Sequence, residues 1–260
     1  MTTPVRKFTA RYRPVRDLSV NDIVDMHRLF AGLYQCGDLP TFLRELQTND
    51  GTIMVRARDT EALCGFTTIR TIPLTDGEQE ALGVFSGKVV LDPASGGERA
   101  LNDAFTRRLL YLWLNARGVP LYWLLISSSY TTYSLLANNF ANYHPRPDRQ
   151  IDPRLQRLIR QYTDQLFPGR YDEARGILDL GEGGSRLREE PEPITATMRL
   201  QDPVIDYFEQ SNPGWRIGHQ LPCIGEISLA LLQPQLTRER LKIQGKRPSG
   251  QRAAIRPAPC

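Results

Sequence analysis

Two adjacent glycines stand directly before an amphipathic helix near the middle of this chain. Gly96 and Gly97 follow an apolar, strand-like run that ends at Leu91, and they precede apolar residues at helical spacing over 101–116. The first turn of a helix leaves backbone N–H groups without intrahelical partners and carries a partial positive charge. A glycine-rich turn lets an anion approach those groups closely. The pattern therefore predicts a cofactor site, able to hold a phosphate, at the turn formed by Gly96 and Gly97.

The elements that must position this turn alternate between strand and helix periodicity over the first 150 residues. Ser19 suits the N-cap of a first helix, and Pro40 suits the first turn of a second. The predicted elements follow the order β-α-α-β-β-β-α-β-α, which is typical of a mixed α/β domain with a central sheet. The strands of this series are predicted at residues 8–15, 52–58, 62–72, 83–91 and 120–126, and its last helix at 131–140.

Beyond residue 145 the pattern is less regular. Helices are predicted over 155–167 and 202–210, and a strand over 177–180. Residues 227–232 fit a buried strand or a buried helix equally well. The glycine- and charge-rich segment 181–193 is typical of a linker or surface loop.

Composition is that of an ordinary globular protein of 260 residues, 40% of them hydrophobic. There is no apolar run of the roughly 18–20 residues needed to cross a membrane, and no secretory signal, so we expect a cytoplasmic protein. The four cysteines and three histidines are scattered along the sequence. Their spacing predicts neither a disulfide framework nor a metal site.

The formal net charge of +4 is unevenly distributed. Residues 1–16 and 238–260 are strongly basic, whereas the region between them holds 21 basic and 28 acidic residues. An acidic body argues against nucleic acid as a partner. The proline-rich basic tail at 238–260 is typical of a disordered terminus.

Three common nucleotide-binding and catalytic motifs are absent from the sequence. The sequence lacks a P-loop, a nucleophile elbow and a dinucleotide-binding fingerprint. Glu78 and Glu80 could serve as a general base, although the segment 76–80 is more typical of a solvated loop.

Three stretches resemble the GNAT acyltransferase superfamily, over about residues 8–145. Arg13-Pro14-Val15-Arg16-Asp17 is similar to that family's opening strand and turn, and residues 89–97 to its fourth strand and cofactor loop. Residues 128–140, which end in Asn139-Phe140, lie where members have an Asn and a terminal Gly-Phe. The resemblance implies an α/β fold with a GNAT-like mixed central sheet flanked by helices, followed here by a C-terminal α/β extension.

In that family an acyl-CoA thioester lies in a V-shaped opening between the fourth and fifth strands, and its pyrophosphate contacts the loop before the third helix. By position, the resemblance implies that Val90 and Leu91 offer backbone groups to the pantetheine arm. It implies acyl-CoA, either acetyl-CoA or a longer thioester, as co-substrate, and no metal. The residues implied for the pyrophosphate are Gly96, Gly97, Glu98, Arg99 and Ala100.

Many members carry a tyrosine that protonates the departing thiolate, and Leu135 occupies that position here. Tyr133 and Tyr143 lie nearby, and the resemblance implies that one of them takes this catalytic role. The alternative for each is a core residue whose hydroxyl is bonded locally.

Two classes of function remain open. The first is an acyl-CoA-dependent N-acyltransferase that acts on an amine of a small molecule or protein, with acyl carrier protein as a variant donor. The second is a non-catalytic GNAT-like module that binds a ligand or a protein, favoured because Gly96 and Arg99 depart from the family's loop pattern. We expect a core over 1–145, an extension over 146–237 that completes the sheet and covers the acceptor site, and the tail over 238–260.

Overall fold

The computed structural model describes residues 7–35, 38–92, 94–148, 152–181, 186–187 and 193–233. The predicted basic tail at 238–260 lies outside these residues, as do Cys36, Cys260 and residues 182–185 and 188–192 of the predicted linker. Within the described ranges, every helix is too short or too polar to cross a bilayer.

Strands and helices alternate along most of the described chain. The strands are β1 Phe8–Pro14, β2 Tyr34–Gln35, β3 Gly51–Ala57, β4 Leu63–Asp76, β5 Gln79–Ser86, β6 Val90–Leu91, β7 Leu121–Ser127, β8 Tyr143–His144, β9 Tyr171–Asp172, β10 Ile177–Asp179, β11 Arg186–Leu187 and β12 His219–Glu226. The helices are α1 Val20–Leu33, α2 Leu39–Gln47, α3 Glu98–Asn115, α4 Tyr130–Asn139, α5 Pro153–Leu166, α6 Ala196–Gln201 and α7 Pro203–Ser211.

One mixed sheet organises the molecule. Its strand order is β1-β3-β4-β5-β7-β12-β10-β9, with β6 beside β4 and β8 beside β12. Neighbouring strands are antiparallel, except that β5 and β7 run parallel. The predicted α/β class, a mixed central sheet flanked by helices, is confirmed.

Both faces of the sheet are covered, because consecutive residues of its central strands are buried and their side chains point to opposite faces. Ile53 and Val55 pack in one apolar cluster with α3, α4 and α7, whereas Met54 packs in a second with α1 and α2. A third cluster places α5 against Tyr122 and Leu124 of β7. The strand β7 is therefore buried on both faces, as its unbroken apolar run indicates.

The N-terminal helices begin where the sequence predicts. The Ser19 hydroxyl accepts a hydrogen bond from the Asp22 amide, and the Asp22 carboxylate accepts one from the Ser19 amide, forming a capping box. Asp38 caps α2, and Pro40 lies in its first turn.

The strand predicted at 83–91 is different in the structure. It is divided into β5 and β6, and β5 begins earlier because Gln79 pairs with Asp76 across a tight hairpin. Gly77 turns that hairpin with a φ of +68°. The interpretation of residues 76–80 as a loop is therefore wrong at Asp76, which belongs to β4, and at Gln79 and Glu80, which belong to β5.

The strand β12 was not predicted, because Pro222 and Gly225 interrupt its apolar run. It pairs with β7 over its last six residues, from Leu221↔Ser127 to Glu226↔Tyr122. On its other edge β10 pairs with residues 219–220 and β8 with residues 224–225. Pro222 lies between those two short strands, where a missing N–H breaks neither ladder.

After β12 the chain forms a helical turn over residues 229–233. The undecided segment 227–232 is therefore largely helical, with Leu232 completely buried.

Candidate functional site

The pairing of β5 with β7 ends before β6 begins. The parallel register of β5 with β7 runs from Leu82↔Leu121 to Phe85↔Leu124. Beyond that point β6 pairs with β4, and β7 continues to Ser127 beside β12. Among the described residues, β6 and the end of β7 thus pair with different strands, and we call the space between them the opening.

The chain leaves β6 through a compact turn that leads into α3. The Asp92 amide donates to the Cys64 carbonyl oxygen at 2.9 Å, which fixes the turn to β4. The Asp92 side chain accepts from the Ala94 amide at 3.0 Å, and the Asp92 carbonyl oxygen accepts from the Ser95 amide at 3.0 Å. The α3 N-terminus thus lies beside β6 on a turn closed by its own hydrogen bonds.

Gly96 and Gly97 each fit their position in the turn for a different local reason. Gly96 adopts a φ of +69°, which favours glycine, and a Cβ there would meet nothing within 4 Å. Gly97 is buried, and a Cβ on it would lie 3.1 Å from Val55 Cγ1, so its small size lets α3 begin close to β3. Gly97 is also the N-cap of α3 and has no side chain to satisfy the first-turn amides.

The remaining residues of the predicted phosphate turn are accessible. Glu98 and Arg99 are exposed, and Ala100 is half-buried. Val90 is buried among residues of α1 and α2, whereas Leu91 packs with the cluster around α3. The described backbone brings these residues together at one corner of the opening; their binding of pyrophosphate stays a prediction.

Contacts from two elements hold residues 87–89, which separate β5 from β6. Thr67 on β4 donates its hydroxyl to the Gly87 carbonyl oxygen at 3.1 Å. Lys88 Nζ pairs with Glu45 Oε2 on α2 at 2.7 Å. The chain therefore leaves the β5 ladder in a defined conformation next to the opening.

Tyr34 is a third contact with this segment, and the sequence analysis did not identify it. Its hydroxyl donates to the Val89 carbonyl oxygen at 3.4 Å, and its ring stacks on Phe30 with centroids 4.9 Å apart. Burial raises the pKa of the Tyr34 hydroxyl, which keeps it protonated. In the sequence, the signal for Tyr34 is its position at the end of an amphipathic helix. Its partner, Val89, is 55 residues away along the chain.

Tyr133 and Tyr143 both lie in the core. Tyr133 is completely buried and donates its hydroxyl to the Pro145 carbonyl oxygen at 2.8 Å. Burial raises the pKa of Tyr133 and of Tyr143. The Tyr143 ring lies under the Arg146 guanidinium at 4.6 Å. Tyr143 belongs to β8, which β12 separates from β7. This placement fits the alternative of core residues, and it brings neither hydroxyl to the phosphate turn.

An apolar pocket of about 120 Å³ lies between α3 and α4. Trp123 of β7 lines it, with ring contacts to Phe105 at 5.5 Å and to Phe140 at 5.2 Å between centroids. The Trp123 indole N–H donates to Ser86 Oγ at 2.8 Å, at the point where β5 ends. The pocket therefore adjoins the opening on the face covered by α3 and α4.

No cluster of three or more His, Cys, Asp or Glu side chains suited to a metal ion occurs among the described residues. Cys64 and Cys223 are buried free thiols, and burial raises the pKa of the Cys223 thiol.

Comparisons with known proteins give fold-level likenesses. No protein-family model and no curated protein matches this sequence. A solved probable N-acyltransferase from Enterococcus faecalis is similar, with 16% identity, a TM-score of 0.38, and coverage of 50% of this chain but only 32% of its own.

Two further solved structures match about half of this chain. An acetyltransferase from Trypanosoma brucei has 16% identity and a TM-score of 0.40, covering 55% of this chain and 99% of its own. The GNAT family N-acetyltransferase YhbS from Escherichia coli, solved in complex with CoA, has 15% identity and a TM-score of 0.34, covering 53% and 74%. These likenesses concern the course of the backbone alone.

Proposed function

We propose that this chain is an acyltransferase that takes an acyl group from acyl-CoA, acetyl-CoA or longer, and passes it to an amine of a small molecule or protein. The observation that carries the proposal is the divergence of β6 from β7 directly beside the uncapped start of α3. Val90 and Leu91 would offer backbone groups to the pantetheine arm, and residues 96–100 would hold the pyrophosphate.

The reaction requires the amine to arrive in its neutral form. Its nitrogen attacks the thioester carbonyl carbon, an amide bond forms, the carbon–sulfur bond breaks, and the thiolate leaves. The proton lost by the amine goes to solvent or to the departing sulfur. Backbone N–H groups fixed at the opening would stabilise the negative charge on the carbonyl oxygen, so the proposal needs no side-chain catalyst from Tyr133 or Tyr143.

The C-terminal extension is proposed to cover the acceptor side of the opening. The support is the pairing of β11 with β2, in which Arg186 lies opposite Gln35 and Leu187 opposite Tyr34. Tyr34 contacts the carbonyl group of Val89 next to the opening. The extension therefore reaches the connection that follows α1.

The test is calorimetric titration of acetyl-CoA and octanoyl-CoA into the full chain and into Arg99→Glu. We expect binding by the parent and a loss of about tenfold or more in the variant, because the substitution replaces a cation with a second carboxylate beside Glu98 in the first turn of α3. Arg117→Glu is the matched control, since it makes the same charge change beyond the other end of α3. Failure of the parent to bind any acyl-CoA, and of acyl-loaded carrier protein to replace it, would refute the proposal.

A second candidate is a module that binds an acyl-CoA without turning it over. The buried, locally bonded hydroxyl of Tyr133 favours it. Incubation with acetyl-CoA and a panel of primary amines, followed by thiol release, separates the two. Binding without thiol release above the rate of spontaneous hydrolysis would support the module.

A further inference from the structure

A guanidinium group lies between two tyrosine rings where α3 packs against β1. The Cζ atom of Arg108 lies 3.8 Å from the centroid of the Tyr12 ring and 5.0 Å from that of the Tyr111 ring. Gly51 leaves room for this arrangement, since a Cβ on it would lie 2.5 Å from Tyr12 Cζ. Contacts with two rings restrict the motion of the guanidinium and so orient its N–H donors.

The Arg108 guanidinium has no anionic partner within the ranges that the structure describes. It makes neither an ion pair nor a hydrogen bond there, and its Nε is buried without a partner. Its two terminal nitrogens reach the surface. A cation that is partly removed from water and lacks a counterion attracts an anion more strongly than a fully hydrated cation does. Two N–H groups side by side also match the two oxygens of a carboxylate or a phosphate.

The charged groups around this guanidinium leave the positive charge in excess. Arg107 donates Nη2 to the backbone of β1 at 3.3 Å and, like Arg108, pairs with none of the described acids. Arg16 pairs with Asp17 at 3.8 Å. Asp50 accepts two hydrogen bonds from Thr71, both of 2.7 Å. These acids have partners of their own, so the local charge favours an anion at Arg108.

The exposed side chains that follow Arg108 on the same side of α3 are apolar. Tyr111 is 56% exposed and Leu114 is 59% exposed. Residues three apart lie next to each other on a helix surface, so Tyr111 stands between Arg108 and Leu114. An organic anion can therefore place its charge on the guanidinium and its apolar part on these two side chains.

We propose that Arg108, Tyr111 and Leu114 form a binding site for a small organic oxyanion, namely a carboxylate or a phosphate monoester with an apolar body. We call it the Arg108 site. Gly97 is eleven residues earlier, about 16 Å along α3 at 1.5 Å per residue. The Arg108 site is therefore separate from the phosphate turn, and it does not depend on the proposed use of acyl-CoA.

The test follows the arginine Nε–H signals of the full chain by proton–nitrogen NMR. The buried Nε–H of Arg108 reports on this site alone, and the signal that Arg108→Lys removes identifies it. The probes are phenyl phosphate, benzoate and inorganic phosphate. We expect phenyl phosphate or benzoate to shift the Arg108 signal in a saturable manner, and inorganic phosphate to bind about fivefold or more weakly than the better organic probe, because it lacks an apolar body.

Two variants examine the parts of the site. Tyr111→Ala removes one ring from the guanidinium at an exposed position, so the fold is retained, and it should weaken the organic probe by about three- to tenfold. Arg99→Glu reverses a charge at the other end of α3 and should leave the titration of the Arg108 signal unchanged.

The outcomes separate the inference from the proposed function. An Arg108 signal that none of the three probes shifts overturns the Arg108 site. A titration that Tyr111→Ala does not weaken, or equal binding of the organic probes and inorganic phosphate, also overturns it. A parent that fails to bind acyl-CoA but shows the saturable shift refutes the proposed function and retains the Arg108 site. The better of phenyl phosphate and benzoate identifies the kind of oxyanion that the site takes.

Discussion

Several polar contacts of the N-terminal region converge on the carboxylate of Asp22. Its carboxylate accepts hydrogen bonds from the Ser19 hydroxyl at 2.7 Å and the Ser19 amide at 3.1 Å. Arg56 of β3 donates to it at 2.7 Å, and Arg13 of β1 at 3.4 Å. One buried carboxylate thus joins the start of α1 to two strands.

We predict that Asp22→Asn lowers the free energy of unfolding at pH 7 by about 1–2 kcal/mol, since it weakens a capping box and a charged contact. Burial alone would raise the pKa of Asp22, but the hydrogen bonds from Ser19 and Arg56 outweigh it and hold the pKa below its ordinary value of 3.8. The contribution is therefore present above that pH and is lost as the pH falls through the lower, folded-state pKa. Urea unfolding from pH 7 to pH 3 should show the parent and the variant converging in acid.

Asp164→Asn is the control for that series. Asp164 lies 3.9 Å from Arg160 on the surface of α5, with 64% of its side chain exposed. Such a pair contributes little, within about 0.5 kcal/mol. A difference between parent and Asp22→Asn that stays constant with pH would contradict the role given to the carboxylate charge.

At the scale of elements, the sequence predicts well where local chemistry sets the boundaries. Ser19 caps α1 and Pro40 lies in the first turn of α2, as predicted, and the strands predicted at 52–58 and 62–72 are β3 and β4. The sequence predicts poorly where tertiary contacts decide. The strand β12 contains Pro222 and Gly225; the positions of β8 and β10 explain why the proline is tolerated, and the close packing of Phe140 and Leu136 explains the glycine.

The sequence likewise predicts only the locally determined part of the candidate site. The turn at residues 96–100 follows from glycine chemistry and from the resemblance, and its helix begins at Glu98 as expected. The contacts of Tyr34 with Val89 and of Leu231 with the α3–α4 pocket join residues far apart in the sequence. No periodicity or spacing reports such pairs, because they exist only once the sheet has formed.

Gly225 and Gly32 provide a paired prediction for two elements. A Cβ on Gly225 in β12 would lie 2.6 Å from Phe140 Cδ1 and 2.8 Å from Leu136 Cδ1, so Gly225→Ala should cost about 1–3 kcal/mol through overpacking. A Cβ on Gly32 in α1 would meet nothing within 4 Å, so Gly32→Ala should stabilise by up to about 0.5–1 kcal/mol through helix propensity. Thermal and urea unfolding measure both. Equal effects of the two substitutions would show that β12 does not approach α4 as closely as described.

At the scale of the whole molecule, one sheet contains strands from both the predicted core and the C-terminal extension. The strand β12, from the C-terminal region, lies between β7 and the short strands β8 and β10. The Tyr162 hydroxyl of α5 lies 3.1 Å from the Leu125 carbonyl oxygen of β7 and 3.2 Å from the Cys223 carbonyl oxygen of β12. Residues before 145 and after 146 therefore share one hydrogen-bonded layer, and we expect a single cooperative unfolding transition.

Arg154, near the start of α5, connects the ends of β4 and β12. Its guanidinium lies 3.1 Å from Asp76 Oδ2 at the end of β4 and 3.0 Å from Glu226 Oε2 at the end of β12. The Tyr122 hydroxyl also donates to Asp76 at 3.2 Å, and burial raises the pKa of that hydroxyl. Without the cation, two carboxylates would face each other across the end of the sheet.

We predict that Arg154→Met lowers the free energy of unfolding by about 1–3 kcal/mol, between the values for exposed and buried pairs, because Arg154 is 35% exposed. Glu226→Gln should cost less, and the double variant should cost less than the two single effects added, by about 0.5 kcal/mol or more, because both substitutions remove the same contact. Arg160→Met, on an exposed arginine of the same helix, controls for the loss of a charge from α5. Strict additivity of the free-energy changes in this cycle would mean that Arg154 does not link β4 to β12. A cost of Arg154→Met no larger than that of Arg160→Met would mean the same. Two separate unfolding transitions in Arg154→Met would show that the shared sheet alone does not make the two regions unfold cooperatively.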